Sequence, residues 1–281
     1  MSSILTNNGA MVALQTLKSI NKDLTQTQNA ISTGKDIGSA KDNSAIWAIS
    51  KVMESDVAGF AAVQDSLAVG ESTVAVASAG AEQIVETLKE MKQLAINGQS
   101  ETADFSKIQA DMAEKAEGIA AIISASQFNG VNLLATDVDG NGGTSLTVVS
   151  SLDRVGSAAP TVSTISVDTV DFEANIDAVG SLTAITDAAT AATAFDELEA
   201  FLTTAIDGAA ALGASAKRIS DQNDFVGKLN DAVKSGIGSL VDADMEAASA
   251  RLQALQTQQQ LGVQALSIAN QAPQTILSLF R

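Results

Sequence analysis

Apolar positions step through this chain by threes and fours from one end almost to the other, and they divide into runs separated by turn-forming residues. The first run is Ala10, Ala13, Leu17, Ile20, Leu24, Thr27 and Ile31, the seam of a coiled-coil-like helix lined by small and aliphatic groups. Ser32-Thr33-Gly34 and Gly38-Ser39 interrupt it. The longest run then follows, Ile49, Met53, Asp56, Phe60, Val63, Leu67, Gly70, Val74, Ala77, Ala81, Ile84, Leu88, Met91 and Ala95, with no proline inside it. At about 1.5 Å per residue that helix spans roughly 70 Å, far longer than the usual ~11–12 residues, and predicts a rod. Asn97-Gly98 stops it. Phe105, Ile108, Met112, Ile119 and Ile122 mark a shorter helix, expected antiparallel to the rod and ending near Gln127-Phe128-Asn129-Gly130.

From Thr144 to Phe172 the character changes. TSLTVVS and TVSTISVDTV, bounded by Gly and Pro160, are β-branched and predict short strands. Helical spacing returns at Phe195, Leu198, Leu202, Ile206 and Ala209, and again at Val226, Leu229, Val233, Ile237 and Leu240. A last helix carries Met245, Ala248, Leu252, Leu255, Gln259, Val263, Leu266 and Asn270, widened by Leu261, Ala265 and Ile268. Pro273 is expected to kink or end it near Ala272.

Charge sharpens the picture at the ends. Leu252 to Phe280 has no charged side chain but eight glutamines (Gln253, Gln256, Gln258, Gln259, Gln260, Gln264, Gln271 and Gln274), and before Gly34 only Lys18, Lys22 and Asp23 are charged. Such segments are too polar for a bilayer core and too apolar for water. The formal net charge of the chain is −17, and because Lys18, Lys22, Asp23, Arg251 and Arg281 at the ends sum to +3, the middle carries −20. An acidic middle repels phosphate backbones, which argues against a nucleic-acid partner. Membrane binding by the terminal helices is disfavoured too, because Gln, Ser and Thr stand where interfacial helices carry Lys and Arg. The two uncharged seams are expected to pack on each other.

Composition removes most chemistry. With 281 residues, no His, no Cys, no Tyr and one Trp, the usual nucleophile–base pairs and soft metal ligands are missing, and the 46% hydrophobic content is largely alanine. Ser39 and Lys41 are a chance proximity, and Gly34-Lys35 lacks the upstream glycine of a phosphate loop. Asp137-Val138-Asp139-Gly140-Asn141-Gly142 begins like a calcium loop, but Val148 stands where the bidentate glutamate is required, so it is expected to be a turn. No enzyme activity, cofactor or metal is expected. The N-terminus lacks a basic region followed by an apolar core, so no cleaved secretory signal is expected.

Four ordered motifs carry a family resemblance. Ile31-Ser32-Thr33-Gly34-Lys35 with Gly38-Ser39-Ala40-Lys41-Asp42-Asn43, the turn Gln127 to Leu134 (QFNGVNLL), Val241-Asp242-Ala243-Asp244-Met245, and Asn270-Gln271-Ala272-Pro273 through Leu277-Ser278-Leu279 resemble the conserved ends of the bacterial flagellins. The resemblance implies a mainly α fold: a long antiparallel helical bundle with a small β-hairpin region and paired N- and C-terminal helices. It implies divisions at 1–42 and 241–281 (the two halves of an inner-tube domain), 43–134 and 185–240 (rod helices) and 135–184 (a short variable region without large outer domains).

The function so implied is a structural subunit that self-assembles into the flagellar filament, outside the cell and exported without a cleaved signal. A hook-filament junction protein and another secreted coiled-coil structural or adhesive protein are the alternatives. The implied partners are further copies of the chain, sister flagellins, an export chaperone, and hook-associated and cap proteins. The implied subunit interface is Leu14, Leu17, Ile20, Leu24, Ile31, Leu252, Leu255, Gln259, Val263, Leu266, Ile268 and Leu277. The ends are expected to order only when a neighbouring subunit covers them. Many flagellins also engage a vertebrate innate-immune receptor through an arginine, and Glu90 stands at the matching position of Glu90-Met91-Lys92-Gln93-Leu94-Ala95.

Overall fold

The computed structural model describes residues 7–156 and 158–278, the side chains of 177–178 and 272–278 excepted. The elements in order are α1 (Asn8–Thr33), α2 (Ser44–Gly98), α3 (Phe105–Ala125), β1 (Ser145–Asp153), β2 (Thr161–Asp168), the single-turn α4 (Phe172–Asn175), a 3-10 turn (Asp177–Ser181), α5 (Ala188–Val241) and α6 (Met245–Ser278). The two late runs of helical spacing belong to one helix, α5, of 54 residues. Pro273 does not end α6, which continues to Ser278.

Each long helix begins at an Asx side chain that accepts from the free amides of the first turn. Asn7 caps α1, Asn43 accepts from Ala45 and Ile46, Asp104 from Lys107, Asp187 from Thr190, and Asp244 from Glu246 and Ala247. The backbone and hydroxyl donors of Thr190 hold the Asp187 carboxyl below the ordinary carboxylate range. α1 stops at Gly34, whose φ of 71° is the left-handed cap a side chain would resist.

The chain forms two compact units, Met1–Val57 with Ala232–Arg281, and Ala58–Asp231. The divisions expected at 42/43 and 240/241 fall at helix ends, whereas these units part inside α2 and α5.

In the unit Ala58–Asp231 the buried stripe of α2 is Val63, Leu67, Val74, Ala77, Ala81, Ile84, Leu88, Met91 and Ala95, and that of α5 is Ala191, Ala194, Leu198, Leu202, Ala205, Leu212, Ile219 and Val226. Both have the predicted spacing of three and four. Lys92 pairs with Glu199 and lies 5.2 Å from the Phe195 ring centroid, while Asn230 Nδ2 donates to Gln64 Oε1 at 3.4 Å, so the two helices run antiparallel here. The antiparallel course of α3 is fixed the same way, with Lys115 on Glu90 and Ser126 beside Gly80. The QFNGVNLL turn is a two-residue reversal in which Phe128 and Val131 exchange backbone hydrogen bonds, and Asn129 and Gly130 take φ of 53° and 82°. An Asn-Gly pair suits a type I′ turn because both central residues need positive φ.

β1 and β2 form an antiparallel hairpin whose register slips between Val149 and Ser151. The bulge aims Ser150, buried, at α5, where its carbonyl accepts from Gln222 Nε2 at 2.9 Å. Val148, Ile165 and Val167 are buried. Gly59 and Gly70 make room on α2, since a Cβ there would meet Leu152 and Val148 at 2.6 Å. Asp137-Val138-Asp139-Gly140-Asn141-Gly142 folds as a turn, its carboxylates taken by its own backbone: Asp137 accepts from Gly142 and Asp139, and Asp139 from Asn141 and Gly143. Those amides hold the Asp137 carboxyl below its ordinary range, Gly142 foremost.

Gly208 of α5 faces the fully buried Phe172, whose ring atoms would lie 2.4 and 2.6 Å from an added Cβ, whereas Gly118 of α3 has open space. Alanine gains about 1 kcal/mol over glycine in a helix interior. At Gly118 that gain is expected to appear as raised stability in chemical denaturation of the monomer. Gly208→Ala is expected to lose about 1–3 kcal/mol through overpacking, so a Gly208→Ala protein as stable as wild type would contradict the Phe172 packing.

Candidate assembly interface

The terminal helices pair within the unit Met1–Val57 with Ala232–Arg281. Asn7 Nδ2 donates to the Ala269 carbonyl at 2.7 Å, Gln259 Nε2 donates to Asn21 Oδ1 at 2.6 Å, and Gly262 lets Leu17 and Ile20 approach to 3.1 and 3.8 Å of where a Cβ would stand. These three levels run in opposite directions along the two helices, so the pairing is antiparallel. Amides replace charges at the contact. They satisfy one another across the seam without the desolvation cost of burying an ion.

At the other end of the pair, two distant motifs meet. Lys35 bridges to Asp242, the Asp36 amide donates to the Val241 carbonyl at 2.8 Å, and the Ala243 amide donates to the Gly34 carbonyl at 2.9 Å. Residues 34–37 therefore dock onto residues 241–243 by backbone pairing, a contact that no local sequence pattern announces. Ser39 donates through its amide and hydroxyl to Asp42 Oδ2 at 2.9 and 3.0 Å, which holds the Asp42 carboxyl below the ordinary range. Ser39 is thus engaged by Asp42, the cap of its own turn. Lys51, at 2.5 Å, and Lys35, at 3.5 Å, both reach Glu54, and the Lys51 hydrogen bond chiefly holds that carboxyl low.

The expected interface residues divide into two groups. Leu255 is buried, and Leu17, Ile20, Leu24, Ile31, Leu252, Gln259 and Leu266 are half-buried. Leu14 at 45%, Val263 at 54% and Ile268 at 70% are exposed, and the Leu277 side chain lies outside those described. Met11 and Val12, which the periodic seam left out, are exposed as well, as is Leu261, which the sequence pattern placed at the edge of the last helix's stripe.

Among the described residues, no three His, Cys, Asp or Glu side chains cluster as metal ligands do, and no helix is long and apolar enough to cross a membrane.

Comparison with known proteins agrees with this architecture. Residues 4–139 match the bacterial flagellin N-terminal helical region and residues 182–280 the bacterial flagellin C-terminal helical region. Flagellin FljM of Caulobacter vibrioides is 42% identical across the whole chain and 99% of its own length, and a flagellin of Brucella melitensis is 43% identical across the whole of both chains. The fold is shared with a putative flagellar hook-associated protein of Vibrio parahaemolyticus, which is 14% identical with a TM-score of 0.52 over 72% of this chain and 100% of that one. The chain belongs to the bacterial flagellin family and is a structural subunit of the flagellar filament.

Proposed function

We propose that the α1–α6 pair is the part of this subunit that neighbouring subunits cover in the filament, and that Leu14, Val263 and Ile268 face those neighbours, while Leu17, Ile20, Leu24, Ile31, Leu252, Leu255, Gln259 and Leu266 hold the pair together within one chain. The observation that carries this reading is a sparsely charged helix pair that leaves Leu14, Val263 and Ile268 at 45%, 54% and 70% exposure. A helix pair with so few charges turns apolar surface to water, so further protein is its natural cover. Assembly then contributes part of the pair's stability, coupling its ordering to polymerisation. A contact made by different surfaces on each subunit does not close and produces an open helix.

The same reading extends to the cell. The protein has no enzymatic role and works outside the cell. Its contacts are with further copies of itself and with sister flagellins; an export chaperone, the hook-associated proteins and the cap serve it on the way out and at the filament ends. A hook-filament junction role is less favoured, because the whole-chain relatives are flagellins.

The direct test is to depolymerise the purified protein by heat, add salt or filament seeds, and inspect it by electron microscopy and sedimentation. Filaments are expected, and a chain that stays monomeric would contradict the reading. Salt should promote assembly, because 33 acidic against 16 basic residues give subunits that repel, and the Debye length falls to about 10 Å at 0.1 M. Deleting residues 252–281 should abolish polymerisation while leaving the helicity of the unit Ala58–Asp231. Ile268→Glu should raise the concentration needed for assembly at least tenfold, about 1.4 kcal/mol, without changing the monomer's melting. Leu255→Ala instead should lower monomer helicity, since its buried side chain works inside the pair.

Receptor recognition supplies a separate prediction. Glu90 carries the opposite charge to the family's arginine and is ion-paired to Lys115. Purified protein is expected to give weak or no signal in a receptor reporter assay; potent activation would refute this.

A further inference from the structure

The unit Ala58–Asp231 leaves a second apolar feature outside the terminal helices. Between α2 and β1 lies a groove of about 310 Å³ lined by Asp65, Ser66, Val69, Gly70, Leu146, Thr147 and Val148. Its floor is Val148, which fills the space above the bare backbone of the buried Gly70, and its walls are Val69 and Leu146. Val69, on its wall, is 53% exposed. On α5, Phe225 is 56% exposed, a full aromatic ring turned to solvent.

The two features stand on opposite flanks of the same hairpin. At about 100° per residue, Gly59, Ser66 and Gly70, which receive the hairpin, lie to one side of the buried stripe Val63, Leu67 and Val74, and Val69 lies beyond them. On α5, Gln222, which holds Ser150, lies to one side of buried Ile219 and Val226, and Phe225 lies beyond it. Because α2 and α5 are antiparallel, these displacements point away from each other across the hairpin. The contact of Gly227 and Asn230 with Gln64 sets Phe225 within about a turn of the level of Val69.

We infer that Phe225 of one subunit inserts into the Val69–Gly70–Leu146 groove of the next, a lateral knob-in-groove contact between copies of this chain. The inference rests on the polymerising reading above and adds a second contact, remote from α1 and α6. Three observations commit the groove to a second copy. Knob and groove occupy opposite flanks at one level, so a subunit can offer both at once, the condition for an open repeating contact. One charge pair can form across the contact: Lys228, one turn from Phe225, has no ion-pair partner among the described residues, and Asp65 stands at the groove rim, while Asp224 beside Phe225 lies within the field of Lys217. Lys217 and Asp221, on the Phe225 flank, already neutralise each other at 2.6 Å.

The chain's lack of cysteine makes the test clean. Phe225→Ala is expected to leave the monomer's circular dichroism and melting unchanged while raising the concentration needed for seeded elongation at least tenfold. An equal mixture of Phe225→Cys and Val69→Cys chains, elongated on wild-type seeds and treated with a short bismaleimide, is expected to give heterodimers linking the two variants, with few homodimers. Elongation of Phe225→Ala at the wild-type concentration, or pelleted Cys chains linked only as homodimers, would overturn the contact while leaving the filament reading intact. Failure of the wild-type chain to elongate at all would instead remove both.

Discussion

The assembly of this molecule follows from two long terminal helices that carry very few charges. A soluble helix ordinarily turns one stripe to a core and the rest to water, and its charges make the second half favourable. α6 has no charge between Leu252 and Phe280, and α1 has three charged residues in all, Lys18, Lys22 and Asp23. Pairing the two satisfies one stripe of each, with Leu255 buried and Leu17 and Ile20 laid over Gly262. It cannot satisfy the others, because a two-helix pair has an outside. The residual apolar surface at Leu14, Val263 and Ile268 is a geometric remainder of pairing, not a packing error.

That remainder also explains the amide chemistry. A charge placed on the outer faces would keep the pair soluble as a monomer and would then have to be buried unpaired when another subunit arrived, at a cost of several kcal/mol. Glutamine, threonine and asparagine are tolerable in both states. They hydrogen-bond to water when exposed and to each other when covered, as Gln259 does with Asn21 and Asn7 with Ala269. Apart from Asp23 in α1 and Glu246 in the first turn of α6, the acidic residues lie in the rest of the chain, where they oppose indiscriminate contact.

Much of the fold was legible because its determinants are local. The stops at Gly34 and Gly98 mark helix ends within a residue or two, and the Asn129-Gly130 turn follows from the φ values that pair tolerates, whereas the start of α5 at Ala188, capped by Asp187, precedes the apolar run that opens at Phe195. Long continuous stripes did the rest for α2. What was not legible is set by partners far away in sequence. The docking of residues 34–36 onto 241–243 uses backbone groups, which every residue has. The seating of Val148 on Gly70 and of Phe172 on Gly208 depends on which glycine meets which side chain, and glycine inside a helix pattern looks only like a weak position. Pro273 was the one local signal that misled about an end, since α6 runs through it to Ser278.

The same limit applied to the interface residues. Periodicity gathers positions that share a stripe, so it returned Leu17, Leu24 and Leu255, which serve the intrachain pair, together with Leu14, Val263 and Ile268, which remain exposed. Spacing cannot separate these groups, because an amphipathic stripe records that a face is covered and not by which chain. Only the exposure left after the chain has folded makes that distinction. Applied to the unit Ala58–Asp231, it returns Phe225 and Val69 among others, two residues that the periodic seams of α5 and α2 do not contain. In a protein whose work is to be covered by copies of itself, the informative residues are therefore the apolar ones its own fold leaves uncovered.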